Sequence, residues 1–266
     1  MASSRTALVT GASGGIGEAF AVELAARGYR LVLVSRGTDR LDELAGRLRQ
    51  RHGTDVEVLG ADLAHPVDLD RVERRITTGP APVDLLVNNA GALGRIAPLV
   101  DQAIADQEHL ISLDVVAVVR LCRAALPAMV SRGRGGVLNV SSVMGFLPAP
   151  QGATYSAAKA FVTSFSESLH CEVRPYGVTV TAVCPGSVRT NLHRDSGRRG
   201  GRLGGFLEPE RIVRDGLAAL AAGRPLCVPG AEYRAKVKLA GVLPRALVRR
   251  YVLRRFGGPP HKPSSS

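Results

Sequence analysis

The chain has 266 residues, 45% hydrophobic and 22% charged, with a formal net charge of +12. That composition supports one substantial core, and no apolar run reaches the roughly 18 residues a membrane span needs. Four scattered cysteines (Cys122, Cys171, Cys184, Cys227) show neither metal-type pairing nor a disulfide cadence, and no recognition motif accompanies the basic charge to indicate nucleic acid.

Strand and helix signals alternate along the chain. Thr6–Thr10 is a short apolar strand that runs into a glycine-rich turn, and Ile16–Arg27 follows as a helix with Ile16, Phe20 and Leu24 on one face. Leu31–Ser35 is a continuous apolar strand, as expected in a parallel sheet covered on both sides. Leu41, Leu44 and Leu48 mark the next helix, Val56–Leu59 the third strand and Val67–Ile76 another helix. Val83–Val87 is the fourth strand, and a long helix covers Asp106 to Ser131. Gly136–Val140 is the fifth strand, Thr154–Arg174 a helix stopped by Pro175, and Val178–Cys184 the sixth strand. Pro209 opens a helix through Ala222, and Leu226–Val228 is a short seventh strand. This order predicts parallel strands joined by right-handed helical crossovers, with ligands beyond the carboxyl ends of the strands.

Several polar motifs fall at those ends. Thr10-Gly11-Ala12-Ser13-Gly14-Gly15-Ile16-Gly17 lies between a strand and a helix, the context in which glycines let a pyrophosphate approach helix amides. Asn88-Asn89-Ala90-Gly91 follows the fourth strand, Asn139-Val140-Ser141-Ser142 ends the fifth, and Pro185-Gly186-Ser187-Val188-Arg189-Thr190 follows the sixth. Tyr155 and Lys159 stand four residues apart, on one face of their helix. An ammonium beside a phenol favours the phenolate, so the pair can pass a proton to or from a substrate oxygen that the Ser142 hydroxyl also holds. Alone, such a pair is more often a solvated helix face; four motifs converging on one sheet edge are hard to attribute to packing.

From about Arg5 to Val228 this ordered set resembles the short-chain dehydrogenase/reductase family. The resemblance implies an α/β fold, a Rossmann-type doubly wound parallel sheet of about seven strands with helices on both faces. It also implies hydride transfer between a nicotinamide cofactor and an oxygen-bearing carbon. Gly11, Ser13, Gly14, Gly15, Ile16 and Gly17 would cradle the cofactor phosphates. At the end of the second strand the chain has Ser35-Arg36 where an acidic residue would bind the free ribose hydroxyls of NAD. Arg36, assisted by Arg40, offers a planar fork to a 2′-phosphate, so the expected cofactor is NADP(H). By resemblance, Asp62 and Leu63 border the adenine, and Asn89, Ala90 and Gly91 line the path to the nicotinamide. Pro185, Gly186 and Val188 are also expected to bind the cofactor, and Thr190 to hold the nicotinamide carboxamide.

In the implied chemistry Ser142, Tyr155 and Lys159 are catalytic, with Tyr155 the proton donor or acceptor and Lys159 also holding the ribose. The family usually places an asparagine in the long helix to complete a tetrad. Here Leu113-Asp114-Val115 aligns there, so Asp114 is the fourth catalytic candidate. Its side chain would add a negative charge near Lys159, and a higher pH optimum is expected. No metal site is predicted.

The substrate wall is expected from Leu93–Ile96, Val143–Pro150, Ser187–Phe206 and the C-terminal segment. Leu93, Met144, Phe146 and Leu147 predict an apolar substrate, which the resemblance implies is a ketone, an aldehyde or a secondary alcohol. Residues 191–205, rich in Gly and Arg, read as a lid whose Arg194, Arg198, Arg199 and Arg202 either meet an acidic group or, more simply, face solvent; His193 has no assigned role. From Gly230 to Ser266 there are six Arg and three Lys against one Glu, a net +8, leaving +4 for the rest. Residues 1–229 are therefore read as one catalytic domain, 230–258 as a basic amphipathic helical extension and 259–266 as a disordered tail. Leu239, Val242, Leu243, Leu247, Val248, Tyr251 and Val252 could form one stripe, packed on the domain or a partner subunit, with peripheral membrane contact through residues 233–256 as the other option. No basic-then-apolar leader precedes the first strand, so reduced thiols and a cytoplasmic location are expected. The resemblance suggests a homo-oligomer, a dimer or tetramer. Two rival readings use the same scaffold: a non-redox cyclase or dehydratase, and an NADP(H)-binding sensor without turnover.

Overall fold

The computed structural model describes residues 5–189 and 205–256. Seven parallel strands form one sheet: β1 (Thr6–Thr10), β2 (Arg30–Ser35), β3 (Val56–Gly60), β4 (Val83–Asn88), β5 (Gly135–Val140), β6 (Val178–Val183) and β7 (Leu226–Cys227). Their spatial order is β3-β2-β1-β4-β5-β6-β7, so the winding reverses between β1 and β4. That reversal opens a crevice beyond the strands' carboxyl ends.

Both faces are covered, which is why the strands read as unbroken apolar runs. Ala7, Val9, Leu31, Leu33, Leu85 and Val87 point to one side, where α1 (Gly15–Ala26), α2 (Asp39–His52) and α7 (Pro209–Ala221) pack. Their sequence neighbours Leu8, Val32, Val34 and Leu86 point to the other. That side is covered by α3 (Pro66–Thr78), α5 (Ala117–Ser131) and α6 (Ala153–Val173). The alternation is the period of two that a strand imposes on its side chains. Arg120 of α5 clamps α3 through Asp70 and Glu73, each at 2.5 Å.

The expected long helix is present but not uniform. It comprises α4 (Ile104–Ile111), one π-helical turn (Ser112–Val116) and α5. A π turn accommodates an extra residue and redirects side chains; here it contains Asp114, which is fully buried.

The C-terminal region forms two helices, α8 (Ala231–Val242) and α9 (Arg245–Phe256). They are separated at Leu243-Pro244, because proline has no amide hydrogen to continue the ladder. The single apolar stripe is therefore broken. Tyr233, Val248 and Val252 are buried, whereas Leu239, Val242, Leu243, Leu247 and Tyr251 are exposed. Among the described residues no helix is long and apolar enough to cross a membrane.

Candidate active site

Four strand ends build the site. At the end of β1, Gly11 has φ +63°, a left-handed conformation that favours glycine. A Cβ there would stand 2.9 Å from the Ala90 Cα, and one on Gly17 would stand 2.1 Å from the Gly11 carbonyl oxygen. The turn, the start of α1 and the Asn89-Ala90 segment are thus in backbone contact. Asn89 locks them: its amide side chain donates to the carbonyls of Thr10 (3.0 Å) and Gly11 (3.2 Å). The Thr10 hydroxyl accepts from the backbone amides of Asn89 and Ala90 at 2.9 and 3.0 Å. Gly14 precedes α1 and offers no side-chain cap, so the first helix amides are left without a side-chain partner, the arrangement that suits an anion.

At the end of β2 the Ser35 and Ser13 hydroxyls meet at 2.9 Å, tying the glycine turn to the second strand. Arg36 and Arg40 are exposed beyond it, in no ion pair among the described residues. Asp62 spends its side chain on its own turn, accepting from the Ala64 amide at 3.0 Å, while its amide donates to Asp68 at 2.9 Å. Leu63 is buried in the core below.

At the end of β5, Ser142 is 7% exposed and opens a 3-10 turn, Val143–Phe146. Its hydroxyl oxygen accepts from the Met144 amide at 3.2 Å. That contact occupies a lone pair and leaves the hydroxyl hydrogen available to another acceptor. The turn sits on α6: a Cβ on Gly145 would lie 2.8 Å from the Ala160 nitrogen and the Lys159 carbonyl carbon. The Ser141 hydroxyl donates to the Lys159 carbonyl at 2.7 Å. Serine strand and tyrosine helix are therefore registered at this one level. Below, Asn88, Asn139 and Ser166 form a buried ladder across β4, β5 and α6, with contacts of 2.9 Å each.

Tyr155 is half-buried near the start of α6. The Lys159 ammonium lies 5.7 Å from its ring centre. Lys159 donates to the Val140 carbonyl at 3.3 Å and faces Asp114 Oδ2 at 3.0 Å, a charge contact outside hydrogen-bond alignment. Asp114 Oδ1 accepts from the Ala92 amide at 2.8 Å. Burial by itself would push the Lys159 ammonium below its ordinary range; Asp114, and a Tyr155 phenolate, outweigh it and the net direction is upward. Gly91 closes the group, since a Cβ there would lie 3.0 Å from Asp114 Oδ1 and 3.2 Å from the ammonium.

The loop after β6 completes the edge, with the Pro185 carbonyl accepting from the Val143 amide at 3.0 Å. Gly186 and Val188 lie on this loop; Val188 is buried and bridges to Leu207. Ile16 packs partly buried at the start of α1. Thr190, Arg194, Arg198, Arg199, Arg202 and His193 fall outside the described residues. The supporting contacts of Ala92, Met144, Ser141 and Tyr233 were not foreseen. The first two act through backbone amides, which carry no residue-type signal, and Tyr233 lies beyond every motif.

Residues 5–199 match the family model described as short chain dehydrogenase. The chain is 36% identical over 197 residues to the very-long-chain 3-oxoacyl-CoA reductase of Anas platyrhynchos, covering 71% of this chain and 62% of that protein. It is 38% identical over 194 residues to the reductase of the same name from Mus musculus, covering 70% and 60%. The chain thus spans about three fifths of the length of these relatives. Among solved structures, a short-chain dehydrogenase from Sphingobium yanoikuyae in complex with NADPH superposes with a TM-score of 0.82 at 34% identity, over 98% of each chain. The bulky-bulky ketone specific alcohol dehydrogenase from Comamonas testosteroni superposes with a TM-score of 0.77 at 31% identity, over 98% of this chain and 96% of that one.

Proposed function

The chain belongs to the short-chain dehydrogenase family, and on that premise we propose that it is an NADPH-dependent oxidoreductase. It reduces a ketone or aldehyde of a largely apolar substrate, or oxidises the matching secondary alcohol. The observation that carries this reading is the convergence of Ser142, Tyr155, Lys159 and the glycine turn on the edge where the sheet's winding reverses.

The residues fit the cofactor. A Cβ on Gly11 or Gly17 would collide with Ala90, Asn89 or the Gly11 carbonyl, so these two glycines keep the turn in its form, and the uncapped α1 amides suit a pyrophosphate. Exposed Arg36 and Arg40 at the end of β2 suit a 2′-phosphate. When bound, NADPH supplies the hydride that reaches the carbonyl carbon. Tyr155 gives its proton to the carbonyl oxygen, and Ser142, its own oxygen already engaged by Met144, donates a hydrogen bond to that oxygen as charge develops. Lys159, held by Val140 and Asp114, has N–H groups left to face the ribose and Tyr155, and its charge favours the phenolate left behind.

The substrate reading draws on similarity. The relatives' names describe reduction of a ketone in a very long acyl thioester, and a solved neighbour's describes bulky ketones. Exposed Ile96 and the half-buried Leu93, Met144, Phe146 and Leu147 give this chain an apolar wall. Long-chain 3-oxoacyl-CoA thioesters and bulky ketones are the first substrates to try, followed at the NADPH absorbance band. Tyr155→Phe should lower turnover by about 10²–10⁴-fold while NADPH still binds. Turnover spared in that variant, or a clear preference for NADH over NADPH, overturns the proposal.

We extend it to a homo-oligomer, which light scattering tests directly, located in the cytoplasm, which cell fractionation tests. Exposed Leu239, Val242, Leu247 and Leu253 beside Arg249 and Arg250 favour peripheral contact with an anionic membrane. Flotation with phosphatidylserine vesicles, with and without residues 245–266, decides that point.

A further inference from the structure

Tyr233, the third residue of α8, is 2% exposed and joins segments far apart in the chain. Its hydroxyl accepts from the Ser187 amide at 3.0 Å and donates to the Gly205 carbonyl at 3.0 Å. Its ring lies against Gly186 so closely that a Cβ there would stand 2.1–2.4 Å from three ring carbons. Gly186 and Tyr233 are thus a matched pair, the glycine supplying the space that the ring occupies.

The contact continues toward the catalytic edge. The neighbouring Pro185 carbonyl accepts from Val143, the residue after Ser142. The Cys184 amide donates to the Cys227 carbonyl at 2.7 Å, and Leu207 donates to the Ser187 carbonyl at 2.8 Å. Helix α8 also packs on the Val143–Phe146 turn itself. The Tyr233 side chain therefore backs the loop after β6, and the helix that carries it backs the turn that follows Ser142. The hydroxyl joins two backbone groups from different segments, so its removal leaves the Ser187 amide and the Gly205 carbonyl without this partner.

We infer that Tyr233 is a positioning residue. Its ring and hydroxyl hold the Pro185–Ser187 backbone, and through it the Ser142 turn, in the form that receives the nicotinamide end of NADPH. This rests on the proposed oxidoreductase reading for what the loop receives, but not for the contact itself. The residue lies beyond the stretch that matches the family model, residues 5–199.

The test is Tyr233→Phe, which keeps the ring against Gly186 and deletes only the hydroxyl. Hydrogen exchange at the Ser187 amide is followed in the cofactor-free protein, and NADPH affinity by fluorescence titration. Loss of the hydroxyl contacts should speed Ser187 exchange and weaken NADPH binding by about 5–10-fold each. With NADPH saturating, kcat should stay within about twofold, so the loss falls on KM. Wild-type Ser187 exchange, or wild-type NADPH affinity, in the variant overturns the inference. Should Tyr233→Phe not fold, Gly186→Ala alone and combined with Tyr233→Leu reads the same contact: partial recovery of NADPH affinity in the double variant supports it, and additive losses overturn it. A wild-type protein that binds no NADPH would sink the oxidoreductase reading instead, and Ser187 exchange would then decide alone whether Tyr233 holds the loop.

Discussion

Asp114 has no solvent exposure, and its carboxylate stands 3.0 Å from an ammonium only 7% exposed. Such a pair is costly to desolvate and costlier to break on one side. Burial opposes the Lys159 charge, yet Asp114 and Tyr155 together hold its proton more tightly than the ordinary 10.5. A lysine raised in this way adds stability that is full below its unfolded value and is lost as pH rises through its folded one. Asp114→Asn should therefore unfold more easily at pH 7 by about 1–3 kcal/mol. The gap from wild type should close only above about pH 10.5, as read by urea denaturation at pH 7, 9 and 11. With the carboxylate neutralised, Lys159 gives up its proton more readily, so the alkaline limb of the pH–rate profile should move to lower pH. An unmoved profile would mean that Asp114 positions Lys159 without tuning it.

The start of α1 and the glycine turn are one packed unit. Gly14 and Gly17 occupy the same motif but stand in different surroundings. A Cβ on Gly17 meets the Gly11 carbonyl and the Asn89 side chain, whereas one on Gly14 meets nothing within 4 Å. Gly17→Ala should cost about 1–3 kcal/mol of stability through overpacking, and weaken NADPH binding with it. Gly14→Ala should leave the unfolding temperature near that of wild type, because an extended backbone with φ 171° admits any residue. Equal losses at both positions in a thermal scan would show that the motif is limited by backbone freedom and not by contact. The π turn around Asp114 is another local departure with a local effect, since it brings a carboxylate into the interior from a helix whose outer face is wet.

Across the molecule, three of the four thiols are sealed in the two cores and one is outside. Burial raises Cys122 and Cys184 to about 12 and Cys227 to about 11, while Cys171 is exposed. Each raised thiol keeps its proton better folded than unfolded, so its contribution is complete below pH 9.0 and is lost as pH climbs toward those values. Lys159 acts in the same direction. Denaturant midpoints should fall steadily between pH 9 and 11 and hold level between pH 7 and 8. An aromatic disulfide reagent at pH 8 should titrate Cys171 promptly and the other three only after unfolding. Four rapid thiols in the native protein would mean that the cores open far more readily than their packing implies.

Much of this architecture could be read from the residues in order. The strand runs, the helix faces, the glycine turn, Ser142, Tyr155 and Lys159 announce themselves because local periodicity and short motifs are properties of neighbouring residues. Asp114 too stood out by its place in an ordered set, which also put its charge near Lys159, although its complete burial and its contact with the Ala92 amide could not be read there. Contacts made across long stretches of chain left no such trace. Ala92 serves Asp114 from 22 positions away, and Tyr233 serves Ser187 from 46. Backbone donors are indifferent to residue type, and a tyrosine in a basic segment looks like any other until the fold sets it against Gly186. Which groups touch was decided by how the sheet winds and where its edge turns, because that is what brings distant parts of the chain within a few ångströms of one another.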